Sequence, residues 1–565
     1  MHGLDTHRLR QIYEPKLLTV LRGGYRAHDL RRDLVAGLTV AIVALPLAMA
    51  LAIASGTTPE KGLHTAIVAG FLISFLGGSR VQIGGPTAAF IPVVFAVIEK
   101  FGYGGLILCT LLAGCMLIGA GLLRLGALMK YIPQPVVTGF TAGIAVSIFS
   151  SQIKDLFGLH MGAVPAEFFD RWRAYAEHAG TFTPTTVLLA AVSLALILAI
   201  RRWRPAWPGF LIAVIAAAVA TTLFALPTDT IATRFGGIPA ALPAFSMPHI
   251  PFERTLEMFP SAFTIAFLAG IESLLSAVVA DGMTGGRHRS NGELVAQGVA
   301  NIGSALFGGL PATGAIARTA VNIRSGGRTP VAGIAHAAFL LIFMLVLAPL
   351  MGYVPLAVLA AVLLVVAWQM SDLESFRHLL HGPIGDRAVL LVTFALTVMF
   401  DLTVAIEVGL VLAAFLFMHR MSEVVELESQ ISLIEDDGDG DGADDGDQRA
   451  QLPPAVEAFR ISGPLFFAVA NRLDGVLDRL PQPPAVFILR MRLVPLIDAS
   501  GVTALRQFLD RCERLGTRVI LSGLREQPRR ILAQMRVVPD GRQLRFADHF
   551  AQAVEWARAE ATLRA

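Results

Sequence analysis

Two short apolar segments, far apart in the chain, have the composition of an anion-binding site. The first reads Gly84-Gly85-Pro86-Thr87-Ala88-Ala89-Phe90 and the second Gly308-Gly309-Leu310-Pro311-Ala312-Thr313-Gly314-Ala315. Each opens on a glycine pair, places a proline where a helix can begin, and runs on into small and apolar residues. A helix that begins inside a membrane aims unpaired N–H groups and a positive dipole end at its surroundings. Such an end attracts anions. A pair of glycine- or proline-interrupted apolar segments in corresponding places points to the central site of a transporter. The backbone at Thr87, Ala88 and Ala89 and at Thr313, Gly314 and Ala315 is the candidate cradle, with the polar Gln82 beside it. Packing kinks are the alternative, because glycine and proline are common in membrane helices.

Two intramembrane charges add chemistry. Glu272 lies in Ala269-Gly270-Ile271-Glu272-Ser273-Leu274-Leu275-Ser276. An ionised carboxylate in hydrocarbon is costly, so it faces a cavity or holds a proton. Ser276 is one helical turn further on the same face. The pair is the candidate proton-coupling site; the alternative is a glutamate locked to a neighbouring helix. Arg318 stands about two turns into a helix that begins near Pro311, where it adds full charge to the dipole end. It could instead snorkel to the rim or pair with Glu272 as a static brace. Asp401 and Glu407 read as a helix cap or solvated turn, and Pro46 as a kink.

These residues need a scaffold, and composition says which. Of 565 residues, 54% are hydrophobic and 16% charged, with a mean hydropathy of +0.63, against about a quarter charged in soluble domains. Roughly fourteen apolar spans of about 12–22 residues follow one another. They begin near Leu34, His64, Pro86, Tyr103, Ile132, Thr185, Pro208, Phe259, Gly292, Pro311, Arg328, Tyr353, Asp386 and Leu402. A helix from Pro86 to Ile98 covers about 20 Å of a hydrocarbon core of about 30 Å. Extended backbone, for which Val81-Gln82-Ile83 is suited, must supply the rest under a cover of protein.

Basic residues mark the even-numbered ends: Arg80, then Arg124 and Lys130, then Arg201, Arg202 and Arg204, and later Arg287, Arg289, Arg324, Arg328, Arg377 and Arg420. They put both termini on the cytoplasmic side. With Arg8, Arg10 and five more basic residues and no apolar core, residues 1–33 do not read as a cleaved signal peptide. The broken spans are the third and the tenth, each third in its own set of seven. An odd number per set inverts the second set, so the two short helices meet near the midplane.

Beyond the spans, Glu435 to Asp447 is an acidic run that reads as a linker. Its spacing lacks the glutamate and flanking helices of a calcium loop. From Pro453 a soluble unit begins. Ala455–Ile461, Ala485–Met491 and Thr517–Ser522 read as strands, and Ser500–Leu515, Pro528–Met535 and His549–Arg558 as helices. The alternation implies an α/β layer structure. Ser500 reads as an N-cap, with phosphorylation the alternative. Cys109, Cys115 and Cys512 have no motif spacing. The net charge of +3 does not suggest nucleic acid. No metal, cofactor or nucleophile–base set is expected.

The tract from Pro311 through Arg318-Thr319-Ala320, with Asn322-Ile323-Arg324 and Arg328-Thr329-Pro330-Val331-Ala332-Gly333, resembles the sulfate permease (SulP) family of anion transporters. Gly84-Gly85-Pro86-Thr87 and Val278-Val279-Ala280-Asp281 add to the match, and Asp498-Ala499-Ser500-Gly501 resembles the signature turn of the family's STAS domain. The resemblance implies a polytopic α-helical protein with a 7+7 inverted repeat of 14 transmembrane segments, divided into core and gate domains, plus a cytoplasmic α/β STAS domain. It implies substrate between the third and tenth spans, an elevator-like movement, and a homodimer in the inner membrane. Sodium-coupled relatives commonly carry aspartate and threonine where this chain has Glu272 and Ser276, which leans toward protons.

The expected domains are a cytoplasmic segment (1–33), a transport domain (34–434), an acidic linker (435–452) and a STAS domain (453–565). The expected function is proton-coupled symport of sulfate or a related small anion, with membrane lipid around it and room for a protein partner at the STAS domain. The rivals are bicarbonate or dicarboxylate uptake or anion exchange, possibly coupled to sodium; a nucleobase permease; and a nutrient sensor signalling through STAS.

Overall fold

The computed structural model describes residues 12–127, 132–205, 207–241, 243–245, 252–400, 402–428, 452, 455–465 and 482–562. Arg8, Arg10, Lys130, Asp401 and the acidic run from Glu435 to Asp447 lie outside the described residues. The chain divides into two compact units, residues 1–413 and 414–565.

The first unit is helical. Its principal helices are α1 (Ala27–Ala54), α2 (Pro59–Leu76), α3 (Ile91–Leu122), α4 (Gln134–Ser151), α5 (Pro184–Trp203), α6 (Gly209–Leu223), α7 (Thr255–Thr284), α8 (Ser290–Leu306), α9 (Ile316–Arg324), α10 (Pro330–Met351), α11 (Leu356–Met370) and α12 (Ile384–Met399), and α13 (Leu402–Glu428) begins in it and runs past its boundary at residue 413. Gly102 breaks α3 with φ 70° and ψ −179°, a conformation that suits glycine. The break makes two crossings of α3, and the described helices then match the fourteen expected spans in order. Seven helical stretches are long and apolar enough to cross a membrane on length and composition alone. The nine-residue α9 is not one of them.

Packing sorts these helices into two bodies. In one, α1, α2, α3, α7, α8, α9 and α10 pack on each other; in the other, α4 packs on α11 and α12, and α5 on α6 and α11. The first body holds spans one to four and eight to eleven, the core half of the repeat. The second holds the gate spans. Small residues let core backbones approach, as expected where lipid supplies no hydrophobic drive. At the crossing of α3 and α8, a Cβ on Gly298 would stand 2.5 Å from the Gly114 carbonyl oxygen.

The two broken crossings meet as a short antiparallel ladder. β1 (Gly84–Gly85) pairs with β2 (Thr313–Gly314), Gly84 opposite Gly314 and Gly85 opposite Thr313. The ladder falls on the glycine pair next to the expected extended piece at Val81–Ile83, whose Ile83 carbonyl accepts the Ala315 N–H at 2.8 Å; Gly85 takes a φ of 144°, which glycine adopts without a Cβ clash. Glu407 lies within α13 and is exposed, rather than capping the helix start.

The second unit contains a parallel sheet in the order β3 (Val456–Ser462), β4 (Val486–Leu493), β5 (Arg518–Ser522), β6 (Leu544–Ala547). Phe487, Leu489 and Met491 share a buried cluster with Val502, Leu505 and Phe508 of α14 (Ala499–Arg514) and Leu532 of α15 (Glu526–Gln534). Ile488 and Ile520 share the other with Ala553 and Ala557 of α16 (Phe550–Thr562). Alternation along β4 supplies both faces. Three strands and three helices stand where the periodicity puts them, within a few residues; β6 was not expected. Asp498, not Ser500, is the N-cap of α14: its carboxylate accepts the Gly501 N–H at 2.7 Å, and Ser500 is exposed in the first turn.

Candidate functional site

The second broken crossing stays extended because its N–H groups are taken sideways. Leu310 N–H donates to Thr65 Oγ1 at 2.6 Å and Ala312 N–H to Asn301 Oδ1 at 2.9 Å. Gly314 N–H donates to Ser273 Oγ at 3.0 Å, and Ala315 N–H to the Ile83 carbonyl at 2.8 Å. With those donors committed, the helix begins at Ile316 rather than near Pro311. Arg318 therefore stands in the first turn of α9, not two turns in. The Gly314 and Ala315 amides are also unavailable to a ligand, and the Thr313 hydroxyl bonds Ser273 Oγ at 2.7 Å and the Ala269 carbonyl at 3.1 Å. On this side, the N–H groups without an intrahelical acceptor are those of Ile316, Ala317 and Arg318. Ile316 and Ala317 are exposed.

The first broken crossing turns more gradually. Thr87, with extended backbone, precedes a 3-10 turn at Ala88–Phe90 that runs directly into α3. Ala88 and Ala89 are buried and Thr87 half-buried. The Thr87 hydroxyl donates to Glu272 Oε2 at 3.1 Å. Glu272 is half-buried, midway along α7.

Arg318 joins the two crossings. It is 3% exposed, so it does not snorkel to a rim, and its guanidinium donates to the Pro86 carbonyl. Among the described residues no ion pair within 4 Å joins it to Glu272, and the two charges interact only at longer range. A charge buried inside a membrane protein is costly, which makes Arg318 a candidate functional residue. Gly85 exists for this contact: a Cβ there would lie 2.6 Å from Arg318 Nη1.

Ser276 and Gln82 serve the frame instead. Ser276 is fully buried and donates to Thr319 Oγ1 at 3.2 Å, while Thr319 Oγ1 accepts the Ile83 N–H at 3.0 Å. It thus stands one turn from Glu272 without sharing its contact. Gln82 donates from Nε2 to the Ser273 carbonyl at 3.3 Å and is 4% exposed, with Oε1 unpartnered. It packs on Gly314, where a Cβ would come within 1.6 Å of Nε2.

Several buried polar residues of this frame were not singled out from the sequence. Asp33 accepts the Arg328 and Thr329 N–H groups at 3.0 and 3.3 Å and the Tyr25 hydroxyl at 2.9 Å, fixing the start of α10. Glu293, Gln297 and Asn301 line one face of α8. Their signal was legible: polar residues four apart within an apolar span. Among the described residues no cluster suited to a metal ion is present, and the three cysteines are free.

A polar cavity of about 760 Å³ lies between core and gate. Ile91 and Pro92 of the first α3 turn line it from the core, and Ser147, Arg171 and Thr397 from the other side. Its lining reaches the start of α3 but includes none of Thr87, Glu272 and Arg318.

Residues 30–393 match the sulfate permease family, and residues 449–553 match the STAS domain. The chain is 40% identical over 533 residues to "Putative sulfate transporter YvdB" of Bacillus subtilis (strain 168), covering 93% of this chain and 97% of that protein. It is 31% identical over 521 residues to the bicarbonate transporter BicA of Synechocystis, covering 90% and 91%. Among solved structures, the transmembrane domain of a cyanobacterial BicA aligns with a TM-score of 0.62 at 33% identity, covering 68% of this chain and 98% of that one. SLC26A9 aligns with a TM-score of 0.85 at 19% identity over 99% of this chain and 94% of that one, a likeness of fold. The chain is a multi-pass membrane protein and belongs to the sulfate permease family of anion transporters.

Proposed function

We propose that this protein carries a small oxyanion, sulfate first and bicarbonate second, across the inner membrane together with a proton. One observation carries the reading: two helix starts meet over a buried arginine that makes no ion pair within 4 Å among the described residues, with a nearby carboxylate hydrogen-bonded to the first start. The anion docks against the N–H groups of Thr87, Ala88 and Ala89 on one side and of Ile316 and Ala317 on the other. Arg318 supplies charge in a medium that screens little. Helix starts and a guanidinium together suit an oxyanion's several acceptors.

Glu272 couples the proton. As a carboxylate it accepts the Thr87 hydroxyl and repels an anion at the same helix start. Protonated, it withdraws that repulsion. Proton and anion then favour each other's binding by linkage, the requirement for symport. The core body, carrying both starts, slides against the gate body, and the polar cavity between them serves as the route in. Both termini are cytoplasmic, the transporter works as a homodimer, and the STAS domain offers a face to a cytoplasmic partner.

Bicarbonate keeps second place because a bicarbonate transporter is similar over nearly the whole chain. Sodium coupling is less favoured, since Ser276 is spent on Thr319. The test is uptake of labelled sulfate and bicarbonate into proteoliposomes, with and without an inward proton gradient and with and without sodium. Gradient-driven sulfate accumulation without sodium is expected. Accumulation that requires sodium, or none under a proton gradient, would overturn the proton coupling.

A further inference from the structure

The helix α8 holds both extended tracts. Glu293, Gln297 and Asn301 share one face, and each is 0% exposed. At the start of α8, Glu293 Oε2 accepts the Gly78 N–H at 2.7 Å and the Ser79 N–H at 3.2 Å, where the first tract leaves α2. Glu293 Oε1 accepts Gln297 Nε2 at 2.8 Å. One turn on, Asn301 grips Ala312 as a neighbouring strand would: Oδ1 accepts its N–H at 2.9 Å, and Nδ2 donates to its carbonyl at 2.9 Å. Ser304 adds a bond to the Leu310 carbonyl at 2.6 Å.

Non-helical backbone at membrane depth persists only where protein satisfies its polar groups. Here side chains of one helix do so for both tracts, and that helix is pressed on α3 at the Gly114–Gly298 crossing. Ala312 is four residues upstream of Ile316, so its position sets where α9 begins.

We infer that Asn301 is a positioning residue of the anion cradle. By holding both backbone groups of Ala312, it sets the Ile316 and Ala317 amides and Arg318 against Thr87. Through Gln297 and Glu293 the same face fixes the first tract, so the two helix starts move as one body. The inference rests on the reading of that cradle as the substrate site. Asn301 touches no substrate; its effect passes through Ala312.

The test is the split of KM and kcat for sulfate uptake in proteoliposomes, with melting temperature as the folding control. Asn301→Asp keeps the acceptor for the Ala312 N–H and removes the donor to its carbonyl; Asn301→Leu removes both. A raised KM, about tenfold for Asp and more for Leu, is expected in folded protein, with kcat changed less. A KM unchanged in either folded variant, with only melting temperature lowered, would overturn the inference. Arg318→Ala run alongside separates the two readings: if it raises KM and Asn301→Asp does not, only the positioning role fails. If neither does, the cradle reading itself fails. Should both Asn301 variants fail to fold, amide hydrogen exchange of the unsubstituted protein decides. Residues 310–315 protected as strongly as α8 support the inference, and exchange at loop rates there overturns it.

Discussion

The two broken crossings are related by the repeat, yet they do different work. The first carries no charge of its own, passes from strand to helix through a 3-10 turn at Ala88–Phe90, and reaches Glu272 through the Thr87 hydroxyl. The second keeps its backbone extended through Ala315, begins its helix at Ile316, and brings the buried Arg318 to the Pro86 carbonyl of the first. The shared part supplies two opposed helix starts. The unshared part supplies the charge on one side and the titratable link on the other. On the proposed reading, symmetry alone makes the cradle, and its breaking makes the cradle selective for anions and sensitive to protons.

Removing either unshared part should therefore have the largest effect, and in different ways. Glu272→Gln is expected to abolish accumulation driven by a proton gradient while leaving anion counterflow, measured in the same proteoliposomes. Arg318→Ala is expected to raise KM about tenfold or more, the loss of a charge-assisted contact of roughly 1.5–3 kcal/mol. If both variants behave alike, the division of labour between the crossings is wrong.

A second effect tests the shared frame. Gly314→Ala puts a Cβ within 1.6 Å of Gln82 Nε2 and should destabilise the protein by roughly 1–3 kcal/mol, read as a lowered melting temperature. Pairing it with Gln82→Ala should recover most of the loss. Failure to recover would mean that Gln82 is needed for more than filling that space.

Smaller still is Thr87→Val, which keeps the shape and removes the hydroxyl to Glu272. The pH dependence of uptake should shift while KM at a fixed favourable pH changes only about threefold, the scale of one neutral hydrogen bond. An unchanged pH profile would detach Thr87 from the coupling. The smallest effect on transport lies in the other unit. Asp498→Ala should cost about 1 kcal/mol of that unit's stability as a lost N-cap, seen by its melting transition, with sulfate KM unmoved.

Much of the frame was legible in advance. Long apolar runs ended by basic residues gave the crossings and their order, because hydrocarbon tolerates only satisfied backbone. The glycine–proline pairs located the two interruptions. What stayed hidden was which hydrogen bonds the interruptions make. Pro311 looks like a helix start, but Thr65, Asn301 and Ser273, distant in sequence or on other helices, hold the next residues extended and delay the helix to Ile316. The partners of Arg318 and Ser276 depend on the same tertiary contacts. For Glu293, Gln297 and Asn301 the four-residue spacing was visible, but nothing local says that the face looks onto both tracts. In the C-terminal unit, β6 is short and its Arg545 interrupts the apolar signal, so only pairing with β5 reveals it.

The central claim is that an anion sits between the starts of α3 and α9. An anomalous-scattering experiment on crystals grown with selenate, a heavier stand-in for sulfate, tests it most directly. The expected result is a peak within hydrogen-bonding distance of the Ala88 or Ala89 amide, the Ile316 or Ala317 amide and the Arg318 guanidinium. A saturating peak elsewhere, such as in the polar cavity between core and gate with none at the helix starts, would contradict it.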